Sequence, residues 1–366
     1  MTTVPARNPE SDGFMAKTRS PSAREAKAPP DAELMRGMFE TMWLIRRFEE
    51  RAAEEYMRGR IGGFLHLAIG EEAAVVGAIS ALRPTDPITS TYREHGQALA
   101  RGSDPKAVMA ELFGRATGLC GGLGGSMHLM DKERHFYGGY GIVGGSIPLA
   151  VGLAFAIAYR EEASVAMAMF GDGAVNQGVL AEVMNMAELW RLPVVFFVLN
   201  NQYGMGTAVE RASAETDLFK RAEAFDMPAR QVDGMDVMAV HAAVSEAARL
   251  ARDERQPSMI EAIAYRYRGH SMSDPDTTRE GSEKERWQAR DPLVTFERVL
   301  LGEGVVTREE ADAARAAAEA AVAEAAAFAE ESPAVPEEEL ARHLYAHPWS
   351  DDPRGGAAMP PEAERR

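Results

Sequence analysis

The sequence predicts an α/β fold: a central, mostly parallel sheet flanked by helices, with a long N-terminal helix and a helical C-terminal region. Three observations carry that reading. Residues 164–170 and 194–199 are short apolar runs, the second dense in Val and Phe, as in strands covered on both faces. Between them, residues 177–190 set Leu180, Val183, Met184, Ala187 and Trp190 on one side of a helix that Pro193 closes. Residues 258–267 form a third strand, mostly apolar and finishing in an alternating Tyr-Arg-Tyr. A polar cluster follows each strand at once: Gly171-Asp172-Gly173, Asn200-Asn201 and Arg268-Gly269-His270-Ser271.

Taken in order, residues 1–30 are rich in Pro, Ser, Ala and Lys and read as a disordered tail. Residues 31–58 form an amphipathic helix with Asp31 as N-cap and Leu34, Met38, Met42, Leu44, Ile45 and Phe48 on its apolar side. Glycines at 62 and 63 break it, and a small-residue helix follows over 71–82. A short strand then leads into Tyr92-Arg93. A third of residues 114–146 are glycine, which implies close approach of chain to ligand or partner. Met127, Leu129, Met130, Phe136 and Tyr137 make this stretch too apolar for a solvated tether.

Residues 148–159 form an Ala-rich helix, 207–225 a loop and helix, and 233–252 a second crossover helix. Beyond 291 the chain is largely helical, with 309–330 nearly all Ala and Glu and a last helix over 336–343. Residues 31–348 thus read as one domain, helical from about 291, and 349–366 as a second disordered tail.

Composition narrows the function. A net charge of −16 without a long basic block argues against nucleic acid. No apolar run reaches the length of a membrane span, and residues 1–30 carry no hydrophobic signal core. The single cysteine, Cys120, excludes intrachain disulfides and a cysteine metal cluster, consistent with a reducing compartment. The expectation is a soluble cytoplasmic protein.

The polar clusters point to a site. Parallel strands joined by a crossover helix put their carboxyl ends on one side of the sheet. Asp172 and Asn201, 29 residues apart, are therefore expected to meet there, where ligands of α/β sheets bind. A carboxylate and an amide oxygen suit Mg2+ or Ca2+. Gly171 and Gly173 admit a bulky ligand, and a helix starting near Ala174 offers free N–H groups to a phosphate. Tyr92 and Arg93 are suited to clamp a phosphate by hydroxyl and fork. His66 and His270 stand close behind glycines and are candidates for proton transfer. His95 and His128 are weaker candidates, and His135, His241, His343 and His347 read as structural or surface residues.

The string GDGAVNQG…NMAELW…NNQYGMGT resembles the α subunits of the pyruvate dehydrogenase first component, within the thiamine-diphosphate-dependent 2-oxo acid dehydrogenase family; the likeness spans roughly residues 35–348. It implies a thiamine-diphosphate-binding fold, with the cofactor and Mg2+ held through Asp172, Asn201 and the Tyr203 carbonyl. It implies further that Tyr92 and Arg93 hold the diphosphate with Gly173 and Ala174, that Gly141 and Val143 lie against the aminopyrimidine, and that His270 contacts cofactor and intermediate. Ser271 occupies a position phosphorylated in animal members, whereas two further modified positions fall on Ala208 and Thr278.

By the same resemblance the substrate is pyruvate, decarboxylated and passed as an acetyl group to the lipoyl group of an acyltransferase component. The glutamate that polarises the aminopyrimidine belongs to a separate β chain, which implies an α2β2 heterotetramer. Acetoin dehydrogenase and branched-chain 2-oxo acid dehydrogenase α subunits stay open as alternatives, as does a non-catalytic nucleotide-binding subunit.

Overall fold

The computed structural model describes residues 31–343. The two expected tails, the end of the last helix region and His347 lie outside the described residues. A long helix, α1 (Ala32–Met57), opens the chain, capped by Asp31, whose Oδ1 accepts from Glu33 N at 3.0 Å. Its buried face runs Met35, Met38, Phe39, Met42, Ile45, Phe48, Ala52; Leu34 and Leu44 sit at the flanks of that stripe. Next come α2 (Glu72–Ser80), β1 (Ile88–Thr91), α3 (His95–Ala100) and α4 (Pro105–Leu112). The glycine-rich stretch leads to β2 (Phe136–Tyr140), and α5 (Ser146–Tyr159) to β3 (Ala166–Gly171). After α6 (Gly178–Leu189) and β4 (Val194–Asn200), a small hairpin pairs β5 (Tyr203–Gly204) with β6 (Thr207–Ala208). Then follow α7 (Val209–Ala212), β7 (Ala229–Asp233), α8 (Val237–Glu254) and β8 (Ser258–Ile263). Helices α9 (Gly281–Gln288), α10 (Pro292–Gly302), α11 (Arg308–Glu331) and α12 (Glu339–Arg342) complete the described chain.

The main sheet is parallel throughout, in the order β2-β1-β3-β4-β8-β7. From β1 the chain steps to β2 on one side and from β3 to β4 on the other, with β8 inserted between β4 and the outermost β7. The sheet therefore reverses between β1 and β3, and a crevice opens there outside the strand carboxyl ends. β4 is buried along its whole length because each face meets its own apolar core. Val195, Phe197 and Leu199 point into a core built with α1, α2, α8, α10 and α11; Val194, Phe196 and Val198 point into one built with α5 and α6. Each such side chain stabilises the fold by roughly 1.5–3 kcal/mol. Among the described residues, no helix is long and apolar enough to cross a membrane.

Several elements differ from the sequence expectation. The helix expected from near Ala174 starts at Gly178; residues Asp172–Asn176 form a separate 3-10 turn. Residues 207–225 hold the second hairpin strand, the one-turn α7 and a 3-10 helix over Leu218–Phe225. The third strand ends at Ile263, and Tyr265, Arg266 and Tyr267 are all buried instead of alternating between faces.

Candidate active site

The cofactor, metal and leading histidine candidates from the sequence lie along one continuous cleft at the carboxyl ends of β1, β3 and β4. The inner part, a cavity of about 230 Å3, is lined by Tyr92, Arg93, Val143, Asp172, Gly173, Ala174, Asn201, Tyr203 and His270. The outer part adds His66, Gly141 and Met127 and shares Tyr92, Val143 and His270 with the inner. Convergence follows from topology: β1 delivers Tyr92-Arg93 and β3 delivers Asp172 on the two sides of the reversal, and β4 delivers Asn201 beside them. The loops after β3 and β4 lie in van der Waals contact at Gly173 and Gly204. A Cβ on Gly204 would lie 3.5 Å from Gly173 Cα and 3.7 Å from the Asp172 carboxylate.

The inner cleft mixes buried charges of both signs. Asp172 is 6% exposed, and burial pushes its carboxyl up to about 6. Glu71, at the head of α2, is raised too, chiefly by burial, and accepts from Asn201 Nδ2 at 2.8 Å. That bond fixes the Asn201 amide so that Oδ1 is the atom left for other partners; Tyr203 N reaches it at 3.3 Å. Arg93 does not stand free as a fork. One terminal nitrogen donates to Leu67 O at 2.7 Å and the other to His270 O at 2.8 Å, which ties the His270 loop to the body of the fold. Arg266 is fully buried and held to about 10, first by burial and then by Arg93. It donates to the carbonyls of Arg268 and Met205, and its Nε has no partner. Among the described residues, neither guanidinium is matched with a carboxylate in an ion pair.

These groups fit a cation–diphosphate ligand. Asp172 and the Asn201 amide are hard oxygen donors on one wall. Arg93 and Arg266 supply positive charge already desolvated, and Ser90 Oγ, which lines the inner cavity, is buried without a partner. The expected contribution of a helix dipole is smaller than the sequence suggested, since only the short turn Asp172–Asn176 begins at the site.

His66, Tyr92 and His270 form an aromatic triad in the outer cleft, with ring centroids 4.6 Å apart for His66–Tyr92, 5.0 Å for His66–His270 and 5.7 Å for Tyr92–His270. Burial, then the Arg93 charge, lowers His66 to about 3 and His270 to about 4. Both imidazoles are therefore expected to be neutral at physiological pH, serving as hydrogen-bond donors or acceptors. The sign of the linkage follows. A lowered imidazole protonates first in the unfolded chain, so its stability contribution is complete above about 6.5 and falls as pH drops toward the folded values. NMR titration of the two rings should show neither charging between pH 9 and about 5. A midpoint near the ordinary 6.5 for either ring would contradict this.

The weaker histidine candidates take other roles. His95 is fully buried between Glu49 (Nδ1–Oε2, 2.8 Å) and Ser126 (Nε2–Oγ, 2.9 Å). His128 is exposed, with its ring against Gly141 and Nδ1 bonded to Gly139 O. His241 bonds Ser80 Oγ, and His343 reaches Glu339 on the surface. Glu71 and Arg266 were not singled out from the sequence. The only available signal was charge in an apolar setting: Glu71 opens a helix of Ala and Val, and Arg266 stands between two tyrosines.

Residues 40–338 match the model of a family described as dehydrogenase E1 component. A protein named pyruvate dehydrogenase E1 component subunit alpha from Rhizobium meliloti (strain 1021) is 51% identical over 273 residues, covering 74% of this chain and 78% of that protein. The protein of that name from Zymomonas mobilis subsp. mobilis is 48% identical over 281 residues, covering 76% and 79%. A chloroplastic relative from Oryza sativa subsp. japonica, subunit alpha-3, is 39% identical over 347 residues, covering 92% and 81%.

Proposed function

The chain belongs to the dehydrogenase E1 component family, and from that premise we propose that it is the α subunit of a pyruvate dehydrogenase, acting with thiamine diphosphate and Mg2+ in oxidative decarboxylation of pyruvate. The single observation that carries the chemistry is the meeting of Asp172 and Asn201 in one cleft lined also by the Arg93 guanidinium, which bonds backbone carbonyls and no carboxylate among the described residues. When bound, thiamine diphosphate supplies the electron sink for loss of CO2 from a 2-oxo acid.

The chain's own residues do the rest. Asp172, the Asn201 amide and the Tyr203 carbonyl would hold the cation. Arg93 and Arg266 would neutralise the diphosphate, with Tyr92, Gly173 and Ala174 alongside. Gly141 and Val143 would shape the wall for the aminopyrimidine. Neutral His66 and His270 would hydrogen-bond to the reacting 2-oxo acid in the outer cleft, and Phe64 and Met127 help exclude water from it.

The partner reading has its own support. Ile142, Val143, Phe64 and Met205 are exposed around the cleft mouth, and Leu149, Phe155, Tyr159, Leu189 and Trp190 are exposed on α5 and at the end of α6. An apolar surface of that extent suits a subunit contact. A β subunit in an α2β2 assembly would cover it and complete the site, and the acetyl group would leave on the lipoyl arm of an acyltransferase. The acidic composition with one cysteine suits the cytoplasm.

The test is co-expression with a candidate β subunit and assay of cofactor-dependent turnover on pyruvate, acetoin and branched 2-oxo acids. Pyruvate is expected to give the highest kcat/KM, and the α chain alone to fall at least about 100-fold short of the complex, because part of the catalytic electrostatics is missing. A preference for acetoin or a branched acid would overturn the substrate assignment. A fully active α chain would overturn the split site.

A further inference from the structure

The glycine-rich segment before β2 is wound around one buried carboxylate. Glu111, in the last turn of α4, is fully buried, and its partners are peptide N–H groups. Oε2 accepts from Cys120 N at 2.7 Å and Gly122 N at 2.8 Å; Oε1 accepts from Gly124 N at 2.7 Å and Gly125 N at 3.0 Å. Four charge-assisted bonds to one anion are among the stronger arrangements available to a loop. They also explain the composition. A Cβ on Gly118 would sit 2.3 Å from Oε2, and Gly122 holds φ +78° with no room for a side chain beside Arg115 O.

The wrapped loop delivers its next residues to the cleft. Ser126 is held by His95, itself fixed by Glu49, and Met127 lines the outer cleft with Phe64, His66 and His270. Leu129 N then donates to Glu94 Oε1 at 3.1 Å, fastening the far end.

We infer that Glu111 is a positioning residue for the reaction: by gathering the amides of residues 120–125 it holds the loop that carries Met127 and so sets the wall of the outer cleft. The kinetic consequence rests on the function proposed above; the latch itself does not. Glu111→Gln keeps the shape but sets an NH2 group against two N–H donors, so one pair of bonds is lost to repulsion.

The experiment uses the full chain co-expressed with its β subunit. Hydrogen–deuterium exchange of residues 118–128 should accelerate about tenfold or more in E111Q, while α1 and α11 exchange as in the parent. The KM for the 2-oxo acid should rise about five- to tenfold with kcat changed less than about threefold, since Met127 acts on binding and not on the reacting atoms. Gly118→Ala attacks the same contact from the loop side and should reproduce both changes if E111Q fails to fold. Unchanged exchange would overturn the latch. Faster exchange with unchanged KM would overturn the positioning role. An unmodified complex that turns over no 2-oxo acid would overturn the functional reading instead, and the exchange comparison would still uphold or sink the latch.

Discussion

Asp172→Asn is expected to lower turnover of the αβ complex by about 10³ or more, the loss of several kcal/mol of cation-mediated stabilisation, while leaving the ligand-free protein at least as stable as the parent. The two halves have one cause. A carboxylate that is 6% exposed and pushed up to about 6 is held ionised at a cost, and bound Mg2+ would offset that cost. The sign runs against the usual acid-stability argument. With a folded value above the ordinary 3.8, Asp172 takes nothing from stability at low pH and takes most as pH rises through about 6. Holding the buried carboxylate ionised corresponds to roughly 3 kcal/mol at neutral pH as an upper figure. Asparagine removes this term, so the melting temperature of the ligand-free variant should exceed the parent's at pH 8 and match it near pH 4. Added Mg2+ with thiamine diphosphate should raise the melting temperature of the parent only. Saturable cofactor affinity in the variant, or a lower melting point without ligand at pH 8, would remove Asp172 from the metal site.

Arg93→Met is expected to reduce kcat/KM by about 10²–10³, the scale on which truncating a buried, hydrogen-bonded charge falls. The guanidinium bridges Leu67 and His270, two carbonyls more than 200 residues apart in chain position, and holds positive potential over both cleft histidines. Its loss should loosen the loop after β8 and let both imidazole midpoints rise. Arg93→Lys should recover little, because an ammonium cannot span both carbonyls in one plane. Steady-state kinetics and imidazole NMR decide the matter together. Normal turnover, or midpoints that do not move, would show that Arg93 is only a packing residue.

What the sequence disclosed depends on how local each feature is. The unit from β3 to β4 was legible because its apolar runs are continuous and its helix has an unbroken stripe. β2 was not, since Phe-Tyr-Gly-Gly-Tyr lacks β-branched residues and lies in a glycine-rich stretch that favours loop. β7 was missed because Ala-Arg-Gln-Val-Asp is half-polar, as an outermost strand tends to be. Asp172, Asn201, Tyr92 and Arg93 were found because each directly follows a strand. Glu71 was not, since its bond to Asn201 spans 130 residues and nothing near it in sequence announces a ligand. The turn at Asp172–Asn176 went unseen because a five-residue 3-10 segment and the first turn of an α-helix have the same local composition.

The β2 border of the sheet is closed to strand addition. Along β2 the preceding loop doubles back, with Asp131 and Phe136 exchanging N–H···O bonds at 2.9 Å and Gly139 N donating to Leu129 O at 3.0 Å. Along β7, Arg230 donates to Ala243 O at 2.6 Å and Gln231 Nε2 to Glu261 Oε2 at 3.2 Å, so these side chains fasten the outermost strand to α8 and β8. Polymerisation by edge pairing is thus discouraged on the β2 flank. On that flank recruitment of another polypeptide is left to side-chain contacts, whose fit depends on shape and can be selective for one companion.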